Sequence, residues 1–309
     1  MQEQESGPDR TARRDGSDAR NEEGAATGTG TVETGFVETN GIETYYERRG
    51  EGPPVVFVHG MVMSTTMWGA QVEALADGYT TVAYDVRGHG RTGGSDVGSY
   101  SMELFAEDLD ALLTALDIEQ PVLCGVSMGG AVAQAYAAAH PEEVAGLVLA
   151  DTFPAGPLPL AGRLAFANIR FLGWLQRYVD YKTLNRVQMR VGNRLVPGWA
   201  GDEVTVQDLI ETDPRIASEE FRKIARATAT FPGSDLDLSA VTAPVLVLYA
   251  EHAPPGMSEM ASGVRDALSG ADVELTVVPD AGHAVNLDNP EFFNGAVRAF
   301  LERVHGDAA

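Results

Sequence analysis

The strongest constraint on the fold is the segment 122–130, VLCGVSMGG, where an apolar run passes through Gly125, Ser127 and Gly129 into an alanine-rich stretch. An apolar run followed by small helix formers predicts a buried strand that turns directly into a helix. Glycines on both sides of the serine remove side chains where the turn is sharpest, and this frame is typical of a nucleophile elbow. We therefore predict that Ser127 is a nucleophile, although an ordinary Gly-rich loop capping a helix also fits the pattern alone.

Other short apolar runs accompany the elbow. They lie at 55–58, 80–84, 121–124, 146–150, 243–249 and 273–278. Helical or loop sequence separates these runs, as buried parallel strands require. Residues 102–116 have the spacing of an amphipathic helix, and residues 290–304 are expected to form a closing helix. Since 309 residues are ample for one core plus an insertion, the sequence predicts a doubly wound α/β domain with a mostly parallel sheet.

A general base is expected C-terminal to the nucleophile. His283 follows the run that ends at Val278, in a loop reading DAGH. A histidine held after a strand, downstream of a serine elbow, is predicted to be the base. His59 directly follows the 55–58 run, and we interpret it as a structural histidine. Three other histidines are poorer candidates for the base: His140 ends a helix, His89 lies in a Gly-rich turn and His305 lies in the C-terminal tail.

Two backbone amides are candidate oxyanion donors. The helix that begins after Ser127 points its free amides at the nucleophile, so the Met128 amide is the first candidate. The loop after the 55–58 run reads His-Gly-Met, and the Met61 amide is the second.

Five blocks in order carry a resemblance to a known family: NGIETYYERRGEGPPVVFVHG, DVRGHGRTGGS, GVSMGG, LVLADT and DAGH. Over residues 37–304 the chain resembles the α/β-hydrolase superfamily, especially its small capped carboxylesterases, enol-lactone hydrolases and C–C bond hydrolases. The resemblance implies an eight-stranded, mostly parallel sheet with helices on both faces. It also implies a reaction site at the carboxyl ends of the strands and a helical cap inserted after the sixth strand.

The acidic member of the expected triad is the main departure from the family. Relatives carry a block resembling GEHDP after the seventh strand, whereas residues 250–254 read AEHAP, so Ala253 stands where the acid belongs. Asp151, after the sixth strand, preserves the order serine, acid, histidine. Glu251 lies two residues before Ala253. The sequence leaves open whether Asp151, Glu251 or neither serves His283, and a catalytic dyad or loss of function stays possible.

Composition divides the chain into three parts. Residues 1–34 lack aromatic residues and apolar runs and are predicted to be a disordered acidic tail. Residues 35–151 and 236–305 are predicted to form the core, and 152–235 the helical cap. Within the cap, Phe171, Trp174, Leu175 and Tyr178 have helical spacing, which favours internal helix packing over a ligand pocket, although the same residues could also line a substrate pocket.

Charge and cysteine usage narrow the function classes. The net charge of −23, from 45 acids against 22 bases, disfavours nucleic acid and anionic membranes as partners. Many acids and only two lysines are typical of halophiles. No signal core or membrane-length apolar stretch is present, so the expected location is cytoplasmic. The single cysteine, Cys124, is expected to be buried, and no metal-ligand spacing is present; we expect neither a metal nor a cofactor.

These observations predict a serine hydrolase that cleaves a small-molecule carboxylic ester or lactone through an acyl-enzyme. Ser127 is the predicted nucleophile. A serine at this position argues against haloalkane dehalogenase and epoxide hydrolase chemistry, because relatives with those activities carry aspartate at the elbow. C–C bond hydrolysis on the same residues is one alternative. A non-catalytic protein that binds a small ligand under the cap is the other, because of Ala253.

Overall fold

The computed structural model describes residues 31–195, 203–213, 216–253 and 256–306, and most of the predicted N-terminal tail lies outside these ranges. Eight strands form one sheet in the order β1-β2-β4-β3-β5-β6-β7-β8. Only the β1–β2 and β2–β4 pairs are antiparallel, so the predicted mostly parallel, eight-stranded sheet is confirmed. The strands are β1 (Glu33–Thr39), β2 (Ile42–Arg49), β3 (Pro54–Val58), β4 (Thr80–Tyr84), β5 (Val122–Val126), β6 (Gly146–Ala150), β7 (Val245–Ala250) and β8 (Val273–Val278).

Helices flank the sheet and follow most of its strands. They are α1 (Gly69–Leu75), α2 (Met102–Ala115), α3 (Met128–Ala139), α4 (Leu160–Leu175), α5 (Tyr181–Leu195), α6 (Glu203–Thr212), α7 (Ser218–Thr230), α8 (Met257–Ala267), α9 (Val285–Asp288) and α10 (Pro290–His305). A 3-10 turn spans Thr65–Trp68. Helix α1 packs against α10 and α2 against α3, which covers the sheet and explains why the central strands are almost wholly apolar.

The predicted strand positions agree with the structure to within a few residues. The runs at 80–84, 146–150 and 273–278 coincide with β4, β6 and β8, whereas β5 continues to Val126, directly before the elbow. Strand β1 begins at Glu33, so the ordered sheet starts slightly before the predicted boundary at residue 35. Cys124 is fully buried in β5, as expected.

The strand order creates a crevice at the centre of the sheet. From β3 the chain passes to β4 on one side, and it then returns to form β5 on the other side of β3. Loops that leave neighbouring parallel strands in opposite directions open a crevice at the carboxyl ends of those strands. Residues 59–61 after β3 and Ser127 after β5 both lie at this switch point.

Four helices, α4 to α7, separate β6 from β7, and we call them the helical insertion. Several hydrogen bonds tie the insertion to the core, including one from the Tyr100 hydroxyl to the Glu220 carboxylate. The Thr66 hydroxyl donates to Oδ1 of Asp213 (2.9 Å), and the Lys223 ammonium donates to the carbonyl oxygen of Ser95 (2.8 Å).

The predicted internal packing of the aromatic residues on α4 is wrong. Phe171, Trp174 and Tyr178 are 54, 50 and 69% exposed, and their rings contact one another with centroids 5.8 and 5.7 Å apart. The face of α4 that turns inward instead carries Gly162, Phe166 and Gly173. Because α4 has two apolar faces, its periodicity could not show which one is buried.

None of the helices in the described ranges is long and apolar enough to cross a membrane.

Two buried histidines join the loops that follow β3 and β4. The Val86 amide donates to Nε2 of His59 (2.9 Å), so the ring hydrogen is on Nδ1, which donates to the Gly60 carbonyl (2.8 Å). His89 lies against this ring, with centroids 4.9 Å apart. Burial lowers the pKa of His59 to about 4 and, with a contribution from His59, lowers that of His89 to about 3. Both rings are therefore neutral in the folded protein at pH 7, which agrees with a structural role for His59.

These pKa values predict acid sensitivity. Since the unfolded histidines titrate near pH 6.5, the unfolded chain binds more protons than the folded one below that pH, and the free energy of unfolding falls as the pH decreases toward 4. At pH 5 each buried ring should account for about 2 kcal/mol of that loss. The decrease in stability between pH 8 and pH 5, measured by urea denaturation, should therefore be smaller in His89→Asn than in the wild type.

His252→Asn, which removes an exposed histidine, is the matched control for this comparison. Equal pH-dependent losses in the wild type and His89→Asn would contradict the assignment.

Candidate functional site

Ser127 lies on a strained turn between β5 and α3. Its backbone has φ 53° and ψ −115°, a region that non-glycine residues rarely occupy. The flanking glycines are required by close packing. A Cβ atom at Gly129 would lie 1.9 Å from the carbonyl oxygen of Val58, and one at Gly125 would lie 2.4 Å from the carbonyl carbon of Gly129. The elbow therefore lifts Ser127 out of the sheet while the helix packs directly on β3 and β5.

Residues at the end of β6 hold the elbow in place. The Ser127 amide donates to the Ala150 carbonyl (2.9 Å), and the Thr152 hydroxyl donates to the Ser127 carbonyl (2.6 Å). The contribution of Thr152 was missed in the sequence, because a threonine after a strand carries no signal for this bond. Together these bonds fix the strained turn against the neighbouring strand.

Ser127, His283 and Asp151 form a continuous series of side-chain contacts in the structure. Nε2 of His283 lies 3.1 Å from the Ser127 hydroxyl oxygen, and Nδ1 is hydrogen-bonded to Oδ2 of Asp151. The His283 side chain is 39% exposed, whereas the Asp151 side chain is fully buried. The Asp151 carboxylate on Nδ1 favours the tautomer whose Nε2 can accept the hydrogen of the serine hydroxyl.

Asp151, and not Glu251, contacts the histidine. Asp151 follows β6 with φ 41°, and the Ala250 amide at the end of β7 donates to its Oδ1 (3.1 Å). This bond directs the second carboxylate oxygen across the end of β7 toward His283. The exposed Glu251 accepts instead from the Asp280 amide (2.9 Å), and Ala253 packs against the hydrophobic core. The carboxylate that contacts His283 thus follows β6 and not β7.

The electrostatics of this group favour proton uptake by His283. Partial burial lowers the pKa of the ring, but the hydrogen bond that the ring donates to Asp151 and the negative charge of Asp151 raise it by more, and the charge of Asp288 adds to the increase. The net pKa lies above the ordinary value of 6.5. The Asp151 carboxylate therefore stabilises the imidazolium that would form when a serine proton is transferred.

The two predicted oxyanion donors lie beside Ser127. Met128 is the first residue of α3, where the backbone amides have no acceptor within the helix. The loop of Met61 approaches the elbow closely, because a Cβ atom at Gly60 would lie 3.7 Å from Cβ of Ser127. The loop that carries Met61 and the first residue of α3, Met128, therefore both lie next to the serine.

A small pocket lies between the β3 loop and the helical insertion. It is lined mostly by apolar side chains, with two amides contributed by α5: Met61, Val62, Ile169, Leu172, Tyr181, Leu184, Phe221, Asn185 and Gln188. Because helices α4, α5 and α7 all contribute to the lining, the insertion encloses the space next to Met61.

Two clusters in the described part of the chain have metal-ligating atoms within 4.8 Å of one another: Asp110, His140 and Glu143, and Glu251, His252 and Asp280. Neither cluster includes Ser127, His283 or Asp151. All members of the second cluster are exposed, and Glu251 already accepts a backbone hydrogen bond there.

With this geometry established, comparisons with known proteins identify the class. The family model for the alpha/beta hydrolase fold matches residues 53–290, and the chain belongs to this family. The chain is therefore an enzyme of the α/β-hydrolase class, and the resemblance inferred from the sequence is confirmed.

Individual relatives cover most of the chain. It is 28% identical over 257 residues to 3-oxoadipate enol-lactonase 2 of Acinetobacter baylyi, covering 81% of this chain and 89% of the relative. It is 30% identical over 303 residues to the non-heme chloroperoxidase of Streptomyces lividans, with coverages of 88 and 99%. Among solved structures, a thermophilic esterase from Thermogutta terrifontis is 28% identical with a TM-score of 0.72, covering 88% of this chain and 99% of the esterase.

The contacts of His283 predict a measurable change in its titration. Replacing Asp151 with asparagine removes the charge that raises the pKa of His283, while the partial burial that lowers it remains. The pKa of His283, followed by NMR of the imidazole ring, should therefore be above 6.5 in the wild type and clearly lower in Asp151→Asn.

Glu251→Gln serves as the control and should leave the titration of His283 unchanged. A shift in Glu251→Gln as large as that in Asp151→Asn would contradict the assignment of Asp151 as the partner of His283.

Proposed function

We propose that this protein is a serine hydrolase that cleaves small carboxylic esters or lactones through an acyl-enzyme. The observation that carries the proposal is the alignment of the Ser127 hydroxyl, 3.1 Å from Nε2 of His283, with Asp151 on the opposite ring nitrogen. A nucleophile, a base and a group that orients the base are the three parts that acyl transfer needs.

The proposed reaction has two steps. In the first step Ser127 attacks the carbonyl carbon as Nε2 of His283 takes its proton, and the amides of Met61 and Met128 donate to the oxyanion. The intermediate then collapses to the acyl-enzyme, and His283 returns the proton to the leaving alkoxide, which in a lactone stays attached to the acyl group. In the second step His283 deprotonates a water molecule that attacks the acyl carbon, the bond from that carbon to Ser127 Oγ breaks, and His283 returns the proton to Oγ.

Asp151 is proposed to act as a positioning residue. Its buried carboxylate holds the imidazole with the proton on Nδ1 and stabilises the imidazolium in both steps. An alanine at position 253 is then compatible with catalysis, because Asp151 at the end of β6 supplies the carboxylate. This arrangement weakens the alternative of a non-catalytic binding protein, which depended on the absence of an acid.

The pocket beside Met61 supports a substrate whose apolar acyl group binds in that pocket. Ile169, Leu172 and Leu184 provide apolar surface, and Asn185 and Gln188 can hydrogen-bond to a polar substituent. In this proposal residues 152–235 act as a cap that excludes water and selects acyl groups by shape. The relatives named as an enol-lactonase and an esterase agree with this substrate class.

Covalent labelling tests the nucleophile directly. A fluorophosphonate should form a phosphorus–oxygen bond to Ser127 with loss of fluoride, and intact mass should show a single adduct. The Ser127→Ala variant lacks the attacking oxygen and His283→Ala lacks the base, so both should remain unlabelled. A folded wild-type protein that acquires no label would overturn the proposed mechanism.

Substitution of each of two acidic residues tests which of them orients His283. In serine proteases, replacing the orienting aspartate with asparagine lowers turnover about 10^4-fold, and Asp151→Asn should cause a loss of similar order in ester or lactone hydrolysis. Glu251→Gln should retain activity near that of the wild type. The measurement is kcat on a panel of short esters, lactones and a vinylogous diketone. If only the diketone is turned over, the activity is C–C bond hydrolysis instead.

A further inference from the structure

The charge of this chain is distributed very unevenly. Residues 152–199 contain one acid, Asp180, and seven bases, whereas the whole chain carries 45 acids and 22 bases. This stretch therefore has a net charge of +6 within a protein of net charge −23. It includes helices α4 and α5 of the helical insertion.

Helix α4 presents an apolar row and a basic row to solvent. The apolar row follows helical spacing and is between 50 and 70% exposed: Leu160, Leu164, Phe171, Trp174 and, just beyond the helix, Tyr178. Arg163, Arg170 and Arg177 recur every seven residues, so they form a second exposed row along one side of the apolar row. Within the described ranges, no acidic side chain forms an ion pair with these three arginines.

Helix α5 repeats this arrangement. Val187, Val191 and Leu195 recur every four residues and are all exposed. The basic row beside them consists of Lys182, Arg186, Arg190 and Arg194. The first two bind the end of α6 through Glu211, but Arg190 and Arg194 are exposed and form no ion pair with a described acid.

The outward rows are not needed to pack either helix on the protein. The opposite sides of α4 and α5 line the pocket next to Met61 through Ile169, Leu172 and Leu184. Each helix therefore buries one apolar side and exposes another. Exposed apolar residues arranged in rows, rather than scattered singly, are typical of an interaction surface.

We propose that the exposed rows of α4, which we call the basic aromatic face, dock on an anionic lipid surface. Helices with Trp, Phe and Leu on one side and Arg or Lys beside them lie in the interface of a membrane. The aromatic and aliphatic side chains enter the headgroup boundary, and the arginines contact anionic headgroups while their stems cover apolar surface.

The acidic core of the protein does not prevent this docking. Net charge predicts repulsion from anionic membranes, but at physiological ionic strength charges act over a Debye length of about 8 Å. Local charge at the contact therefore outweighs acids that lie farther than this from the lipid surface. This proposal departs from the expectation, drawn from net charge alone, that anionic membranes are disfavoured as partners.

A second copy of the chain is a poorer occupant of this surface. Most homodimers are two-fold symmetric and bring the same surface patch of each subunit together. Two basic aromatic faces would then place unpaired arginines against one another. An anionic lipid surface supplies the complementary charge as well as apolar volume.

Vesicle flotation tests the proposal with the full chain at about 0.1 M salt, where electrostatic attraction is incompletely screened. The probe is a vesicle of equal parts phosphatidylglycerol and phosphatidylcholine, and pure phosphatidylcholine vesicles are the comparison. We expect binding to the mixed vesicles with a blue shift of Trp fluorescence, and much weaker binding to the neutral ones. The Ser127→Ala variant should bind equally, so the test does not depend on the proposed hydrolase activity.

Two sets of matched variants locate the surface. Replacing Arg163, Arg170 and Arg177 with glutamine should weaken vesicle binding on the order of 100-fold. Each base near an anionic surface increases the affinity about fivefold. Neutralising Arg265, Arg298 and Arg303 on the core changes the net charge equally and should have little effect. Phe171→Ser with Trp174→Ser should reduce binding and abolish the blue shift.

Three results would overturn the proposal: no binding of the wild type to the mixed vesicles, equal loss in the two arginine sets, or a dimer without vesicles that Phe171→Ser with Trp174→Ser converts to a monomer. The last result would assign the surface to a second copy of the chain.

Discussion

Close packing of α3 against β3 and β5 is the constraint on which the site depends. No side chain fits at Gly129, because a Cβ there would lie 1.9 Å from the Val58 carbonyl oxygen, and a Cβ at Gly125 would lie 2.4 Å from the start of α3 at Gly129. This contact forces the chain to reverse over a single residue, and Ser127 takes the strained backbone conformation. The hydrogen bonds to Ala150 and Thr152 then distribute the cost of that strain over β6.

The same strand supplies the carboxylate. Because Asp151 is the residue after Ala150, the β6 end both fixes the elbow and contacts His283, so the relative positions of serine, acid and histidine depend on one piece of backbone. An acid on β7 would depend on a different loop. The buried carboxylate accepts from the Ala250 amide and is hydrogen-bonded to His283, and this pairing is the main cause of the raised pKa of the ring.

Much of the fold could be predicted because its determinants are local. The strands at the centre of the sheet are short apolar runs, and the GVSMGG segment encodes a strand, a turn and a helix in sequence order. The choice between Asp151 and Glu251 could not be predicted, since it depends on how far β7 separates β6 from the His283 loop. Likewise, the row of Phe171, Trp174 and Tyr178 shows correct helical spacing, but only tertiary packing decides which side of α4 faces the protein.

The two-sided character of α4 and α5 connects the site with the protein surface. Inward residues such as Leu172 and Leu184 enclose the pocket beside Met61, while outward residues such as Trp174 and Val191 contact solvent. Because a helix cannot change its tilt without moving both of its sides, a partner that tilted α4 through the outward row would also change the shape of the pocket.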